Sequence, residues 1–430
     1  MQKCPLTLDS EPFFVTLEAM HKKKLYHFPK FLSFMTISLF VTSCTSGDTG
    51  GPLNAADKPA SSVNLQQLKE ERVFTSEPCM EKDRPDAPAN VFRDADGNIQ
   101  LIATSNINHR QVGNSLEKLN RDCTVIFKGG QNADPAQHDN EGWIHGLYTE
   151  DGRTIYGLVH NEYWGSKFVP ECNRNYNRCW WNDITWVKSI DGGKTYHLPP
   201  LEERVVAAFS YPYQPNVGRP VGFMNPSNIL RKDDYLYAFI RSMGIKKQAS
   251  GNFLIRKPVQ TAWGNWEIWN GDGFKNIKEL MKPGDGAVGK PIEVGRAPGF
   301  PNAAPMNVMS VVLHQPSGKY VAIMARGSRL AFKSKEYGFY LATSTDLINW
   351  SAPKQVMEAN FECKSSVEGP QSFYRYYSLI DPSSKDRNFG TVTNNAYIYT
   401  TRITVDGCSS PKKLDLVRIP INLEFINEID

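Results

Sequence analysis

An all-β fold assembled from five repeated units, a five-bladed β-propeller, is what three features of this 430-residue chain predict. No long stretch sustains a helical period, short β-rich runs separated by polar turns recur throughout, and one strand–turn–strand pattern returns five times. The copies lie about 55 to 85 residues apart with further strands between them, a spacing that suits four-stranded blades carrying insertions. The 32 Gly and 28 Pro are scattered without a collagen period, as frequent turns require.

Ahead of the repeats, Phe31 to Val41 is a short apolar run preceded by His21-Lys22-Lys23-Lys24 and followed by Ser43-Cys44. It is too short for the ~20 residues of a spanning helix and has the layout of a secretory signal. Val41-Thr42-Ser43-Cys44 resembles a bacterial lipobox, which implies lipidation at Cys44 and an N-terminal membrane anchor, with Met20 as an alternative translation start. The expected division is a leader over 1–43, a flexible tether over 44–64 and one propeller domain over 65–430. Removing the leader's five lysines and three acids leaves 44 basic against 42 acidic residues, so the exported chain is close to neutral. That balance offers no basic field for nucleic acid, and the 40% hydrophobic content argues against disorder. The six cysteines beyond Cys44 point to disulfides in an exported chain, and local pairing joins Cys79 to Cys123, Cys172 to Cys179 and Cys363 to Cys408.

The first repeat runs from Asn90 through the turn Asp94 to Gly97 to Thr104, and the second from Trp143 through Glu150-Asp151-Gly152 to His160. The third pairs Ser227 to Arg231 with Tyr235 to Arg241, the fourth Met309 to His314 with Tyr320 to Arg326, and the fifth Phe373 to Ile380 with Ala396 to Arg402. Between repeats, Ser189-Ile190-Asp191-Gly192-Gly193-Lys194-Thr195-Tyr196 looks like the Asp-box hairpin of sialidases and many other propellers. Ser344-Thr345-Asp346-Leu347-Ile348-Asn349-Trp350 resembles a related hairpin common in five-bladed glycosidases. Asp191 and Asp346 are read as structural, bonding turn amides while the closing aromatic packs between sheets.

The first strand of a blade starts at the central depression, so the residues just before it line the mouth. Those positions are Asp86-Ala87-Pro88, Glu141-Gly142-Trp143, Asn225-Pro226, Ala304-Pro305 and Glu368-Gly369-Pro370. Pro85-Asp86-Ala87-Pro88 resembles the opening blade of family 43-type glycoside hydrolases, where an Asp is the general base. Glu368-Gly369-Pro370 is similar to the segment bearing that family's general acid, although here it opens the fifth repeat, later than the family places it. The resemblance implies a carbohydrate substrate, Asp86 as base or nucleophile and Glu368 as acid; position near the mouth adds Glu162 as a second candidate acid and Glu141 as a pKa-setting or orienting neighbour. Such a pair is what glycoside hydrolysis needs, one carboxylic acid to protonate the leaving oxygen and one carboxylate to activate water or attack the anomeric carbon.

Trp143, His160, Glu162 and Trp164 crowd two strand ends and read as a sugar-binding wall. Arg241, Arg326 and Arg402 end strands at equivalent places; if they converge they suit an anionic ligand group, as in a sialidase, with Tyr374, Tyr376 or Tyr377 as nucleophile. His109, His138 and His314 read as satisfied polar groups, and Trp263, Trp266 and Trp269 as blade packing. No phosphate loop, GxSxG elbow or HExxH motif is present, so no cofactor or metal is expected. The chain reads as a monomeric glycosidase of the cell envelope, with a non-catalytic glycan-binding propeller as the alternative.

Overall fold

The computed structural model describes residues 63–64, 69–172, 176–284, 286–296, 305–327, 336–409 and 411–428. The leader, Cys44 and most of the expected tether lie outside them. Val63–Asn64, the last residues of the expected tether, form a two-residue strand β1. β2 (Glu71–Thr75) follows.

Five blades of antiparallel strands succeed one another, the second and third joined into one ten-stranded sheet by a parallel contact. Blade 1 holds β3 (Asn90–Arg93), β4 (Ile99–Ile102), β5 (Ile107–Gly113) and β6 (Leu119–Lys128). Blade 2 holds β7 (Glu141–Tyr148), β8 (Ile155–Trp164), β9 (Trp180–Ser189) and β10 (Val205–Ala207). In blade 3 the inner strand is split into β11 (Val221–Met224) and β12 (Leu230–Lys232), which share the partner β13 (Tyr235–Met243), followed by β14 (Gly251–Pro258), β15 (Glu267–Trp269) and β16 (Phe274–Asn276). The strand expected from Ser227 therefore starts only at Leu230. Asn225 takes a left-handed φ of 50°, Pro226 has no N–H to donate, and Ser227 instead exchanges bonds with Phe239 across the gap.

Blade 4 comprises β17 (Ser310–His314), β18 (Lys319–Arg326), β19 (Gly338–Ser344) and β20 (Lys354–Glu358). Blade 5 comprises β21 (Pro370–Ile380), β23 (Asn395–Asp406), β24 (Lys413–Asn422) and, as its outermost strand, β2 from the beginning of the domain; β22 (Thr391–Val392) adds to β17 of blade 4. Only two α-helices, each of four residues, and a few short 3-10 turns interrupt the β structure among the described residues.

Packing confirms the ring. Five apolar clusters fill the spaces between consecutive blades, including the last and first, where Tyr399 and Leu416 meet Leu101 and Val91. Side chains alternate across a strand, so each central strand supplies two interfaces: on β18, Ala322 and Met324 face blade 3 while Val321 and Ile323 face blade 5. Strands buried on both faces read as continuous apolar runs, which is why these segments showed no polar alternation. Trp263 stacks on Tyr156 at 4.2 Å and Trp266 is fully buried, as blade packing requires.

The two hairpins behave as structural staples. Asp191 Oδ1 accepts from the amides of Lys194 and Thr195, both at 3.0 Å, and from Ser189 Oγ at 2.7 Å, while Tyr196 is buried between blades 1 and 2. Burial opposes ionisation, yet these hydrogen bonds hold its carboxyl down at about 2. Asp346 accepts from Ile348 and Asn349 amides at 2.8 and 2.7 Å, and Trp350 packs edge-on against Phe239 of the neighbouring blade. All three local disulfides form, with Cα separations of 5.2, 5.8 and 5.5 Å. They mark the protein as one of an oxidising, extracytoplasmic compartment.

Closure by β2 yields a test. Phe74 of β2 is buried between blades 5 and 1, so Phe74→Ala is expected to cost about 3–5 kcal/mol in urea unfolding, although it touches nothing at the mouth.

Candidate active site at the propeller mouth

The register of blade 2 sets Glu141 opposite Glu162, Trp143 opposite His160, and Asn182 of β9 beside Glu162. Directly opposed residues share a face of the sheet with Cβ atoms roughly 4.5–5.5 Å apart, so the two glutamates are close neighbours. Trp143 lies with its ring centroid 6.1 Å from both His160 and Trp164, giving one aromatic wall.

The glutamates are held differently. Glu141 is buried, receives Lys167 Nζ at 2.7 Å on one oxygen and takes the Asn106 amide on the other. Lys167 also sits 4.3 Å over the Trp164 ring. Glu162, also buried, accepts from Trp164 Nε1 at 2.8 Å, and its other oxygen lies 3.7 Å from His160 Nδ1.

Behind it runs a polar chain. Asn182 donates to the Val221 carbonyl, so its Oδ1 accepts His160 Nε2–H at 2.8 Å, and His160 Nδ1 is left as a lone pair facing Glu162. Gly222 makes this approach possible: it has φ 114°, and a Cβ there would fall 2.0 Å from the Asn182 carbonyl oxygen. His145, edge-on to His160 at 5.7 Å, bonds the Pro226 carbonyl at 3.2 Å. Burial pushes His145 down to about 3, helped by His160, and His160 down to about 4 against the Asn182 bond. Both rings are neutral near pH 7.

Asp86 enters from the segment before blade 1, which is tied to blade 5 by Thr401 Oγ1 donating to the Pro85 carbonyl at 2.7 Å. Its side chain is hydrogen-bonded to Tyr376, whose hydroxyl also feels the charge of Glu162. Burial and then the Asp86 charge raise the tyrosine's pKa well above normal, so it stays protonated as a donor. Tyr376 occupies a β-bulge in β21 with a left-handed φ of 51°. That backbone detour places a blade 5 side chain between carboxylates of two other blades. Asp86, Glu162 and, beside Glu162, Glu141 are thus brought together.

Glu368 is not. It is exposed, on the loop beyond β21 that the Cys363–Cys408 disulfide ties to the end of β23. At mouth level blade 5 presents residues 376–379, because Tyr377 bonds the Asn307 carbonyl and the Leu379 amide bonds Ser310 at the start of blade 4. The strand from Pro370 to Tyr376 carries Glu368 roughly 20 Å past that level. The expected mouth position fails because β21 starts well outside the central depression.

The three arginines do not share one environment. Arg326 pairs with Glu336 at 3.2 Å, and Arg402 is held by Glu70 and by Asp415 at 2.8 Å. Arg241 instead donates to the Pro305 carbonyl at 2.9 Å, next to Tyr377. Ala304 lies outside the described residues. Asn106, His145, Lys167 and Asn182 went unnoticed in the sequence; a His two residues after Trp143 and a Lys three after Trp164 were the available signals. No group of three or more His, Cys, Asp or Glu able to hold a metal occurs among the described residues.

The fold and site define a five-bladed β-propeller with a carboxylate- and tryptophan-lined mouth. The chain matches no protein-family model and no curated protein sequence. Among solved structures it is similar to the catalytic domain of a GH62 α-L-arabinofuranosidase from Coprinopsis cinerea, at 11% identity and TM-score 0.42 over 82% of this chain and 97% of that one. A glycosyl hydrolase from Bacteroides ovatus matches at 9% identity and TM-score 0.44, over 82% and 93%. The α-L-arabinanase of Cellvibrio cellulosa matches at 11% and 0.40, over 80% and 96%.

The neutral histidine pair makes a pH prediction. Because both folded pKa values lie below the unfolded value near 6.5, the unfolded chain binds the extra protons, and their contribution to stability is complete above about pH 6.5. It falls as pH drops toward about 4 and 3, by about 1.4 kcal/mol per pH unit for each ring. Urea midpoints at pH 7, 5.5 and 4.5 should fall in that order, and His145→Asn should flatten the slope.

Proposed function

We propose that this protein is a glycoside hydrolase acting on a poly- or oligosaccharide at the propeller mouth. The observation that carries the reading is the Tyr376 hydroxyl, hydrogen-bonded to Asp86 and within electrostatic reach of Glu162, which itself lies on the Trp143–Trp164 wall. Glu162 accepts an indole N–H and faces a lone pair of neutral His160, the ring nitrogen that its carboxylic proton would meet, and in this reading it is the partner that carries the proton. It would deliver that proton to the glycosidic oxygen as the bond to the anomeric carbon breaks. Asp86, ionised and steadied by Tyr376, would take a proton from the attacking water or attack the anomeric carbon directly. Glu141, bound by Lys167 and Asn106, supplies fixed negative charge beside them and orients Glu162. Trp143 and Trp164 offer flat apolar faces to the sugar ring.

A sialidase-type arrangement is not favoured, since Arg326 and Arg402 are each committed to carboxylates of their own. Export, lipidation at Cys44 and a monomeric state complete the proposal. Cys44→Ser should release the protein from the membrane fraction.

The test is hydrolysis of aryl furanosides and pyranosides by the full chain. Asp86→Asn is expected to lower kcat by about 10²–10⁴-fold or more. Glu162→Gln should lower it comparably on glycosides with poor leaving groups and far less on nitrophenyl glycosides, whose leaving oxygen needs no proton. Glu368→Gln should retain activity. Wild-type activity in Asp86→Asn would overturn the assignment, and sugar binding without hydrolysis would favour a glycan-binding propeller.

A further inference from the structure

The mouth contains a cation that its own chemistry does not use. Arg241 lies on β13 opposite Met224 and Asn252, at the level where the chain enters blade 4. Its one hydrogen bond among the described residues runs from Nη1 to the Pro305 carbonyl at 2.9 Å, and no carboxylate there pairs with it. The segments whose placement is not described on either side of blade 4's first hairpin, 297–304 and 328–335, contain no aspartate or glutamate. The two arginines with which the sequence groups it, Arg326 and Arg402, each have an acid partner.

The surroundings are those of a subsite. Tyr377 reaches the same entry segment from blade 5, donating to the Asn307 carbonyl at 2.9 Å, and the residue before it, Tyr376, holds Asp86. Asn307 Oδ1 is buried without a partner, an acceptor for a ligand hydroxyl. Burial lowers the Arg241 pKa to about 10, with only the Tyr377 hydroxyl opposing, so it remains a cation at neutral pH but a poorly compensated one. A half-desolvated guanidinium with unused donors is stabilised by an oxyanion, for which its planar fork is shaped.

We infer that Arg241, with Asn307 beside it, forms a subsite for a carboxylate or sulfate group on the sugar, so that the substrate is an acidic saccharide. This rests on the glycoside hydrolase reading for its location, but binding alone tests it. Titration calorimetry of the full chain would compare glucuronic acid, galacturonic acid and glucose 6-sulfate with glucose and galactose, at low and high salt. At least one acidic probe is expected to bind about 10- to 100-fold tighter than its neutral parent, with the preference shrinking in salt. The arm that shows it tells uronate from sulfate.

Arg241→Gln should erase the preference and Arg241→Lys should keep part of it, each checked by its thermal midpoint. If Arg241→Gln does not fold, the wild-type ratio, its salt dependence and the lysine variant decide. Equal binding of acidic and neutral sugars, no saturable binding of any acidic probe, or a preference that survives in folded Arg241→Gln would overturn the subsite. An Arg241-dependent preference in a chain that cleaves no glycoside would retain the subsite and retire the hydrolase. Hydrolysis of neutral glycosides through Glu162 with no acidic preference would do the reverse.

Discussion

Everything at the mouth depends on the closing of the ring by apolar contact between blades. No blade has a core of its own; each is a thin sheet whose two faces are buried only because neighbours cover them. A chain of such sheets has exposed ends until the last meets the first. Here β2, contributed before blade 1, becomes the outer strand of blade 5, so the seam carries both strand hydrogen bonds and an apolar interface. Ring closure fixes the distances between blades, and it brings to one mouth Asp86 from ahead of blade 1, Glu162 from the second strand of blade 2 and Tyr376 from the inner strand of blade 5. The separation of the reacting carboxylates is therefore a property of the whole ring.

Within that frame the mouth is a place where regular strands give way. Asn225 and Tyr376 adopt left-handed backbones, and Gly222 takes a conformation only glycine tolerates readily. Each departure has a local result: a split inner strand exposing the Pro226 carbonyl to His145, a bulge bringing Tyr376 to Asp86, and a close approach of β11 to β9 that lets Asn182 reach Val221. Surrounding packing supports the strain, as the five clusters leave these backbones little alternative.

The architecture was legible because it is written in short-range signals. Strand–turn–strand patterns predicted β3, β13, β17 and β18 nearly to the residue, and the serine–aspartate hairpins pointed to a propeller because their side chains bond backbone within a few residues. The carboxylates at the entrances to blades 1 and 2 were found by counting back from each inner strand. The same rule misplaced Glu368, since blade 5 has an inner strand of 11 residues that overshoots the mouth, and strand length beyond the ring leaves no mark in periodicity. Nor does a bulge, which is why Tyr376 rather than its neighbours could not be singled out.

Charge shows the same divide between local and long-range information. Arg241, Arg326 and Arg402 lie in the latter halves of the second strands of three blades, and in sequence they are equivalent. The fold separates them by what arrives opposite. Glu336, just ahead of β19, meets Arg326, the strand order of blade 5 lays Asp415 beside Arg402, and Glu70 reaches the same guanidinium from ahead of β2. Arg241 meets a backbone carbonyl instead. A buried cation left with a neutral partner is costly unless an anion joins it. In a protein whose other mouth charges are paired or hydrogen-bonded, a guanidinium held by a carbonyl alone has its simplest counterpart in a charge the ligand brings.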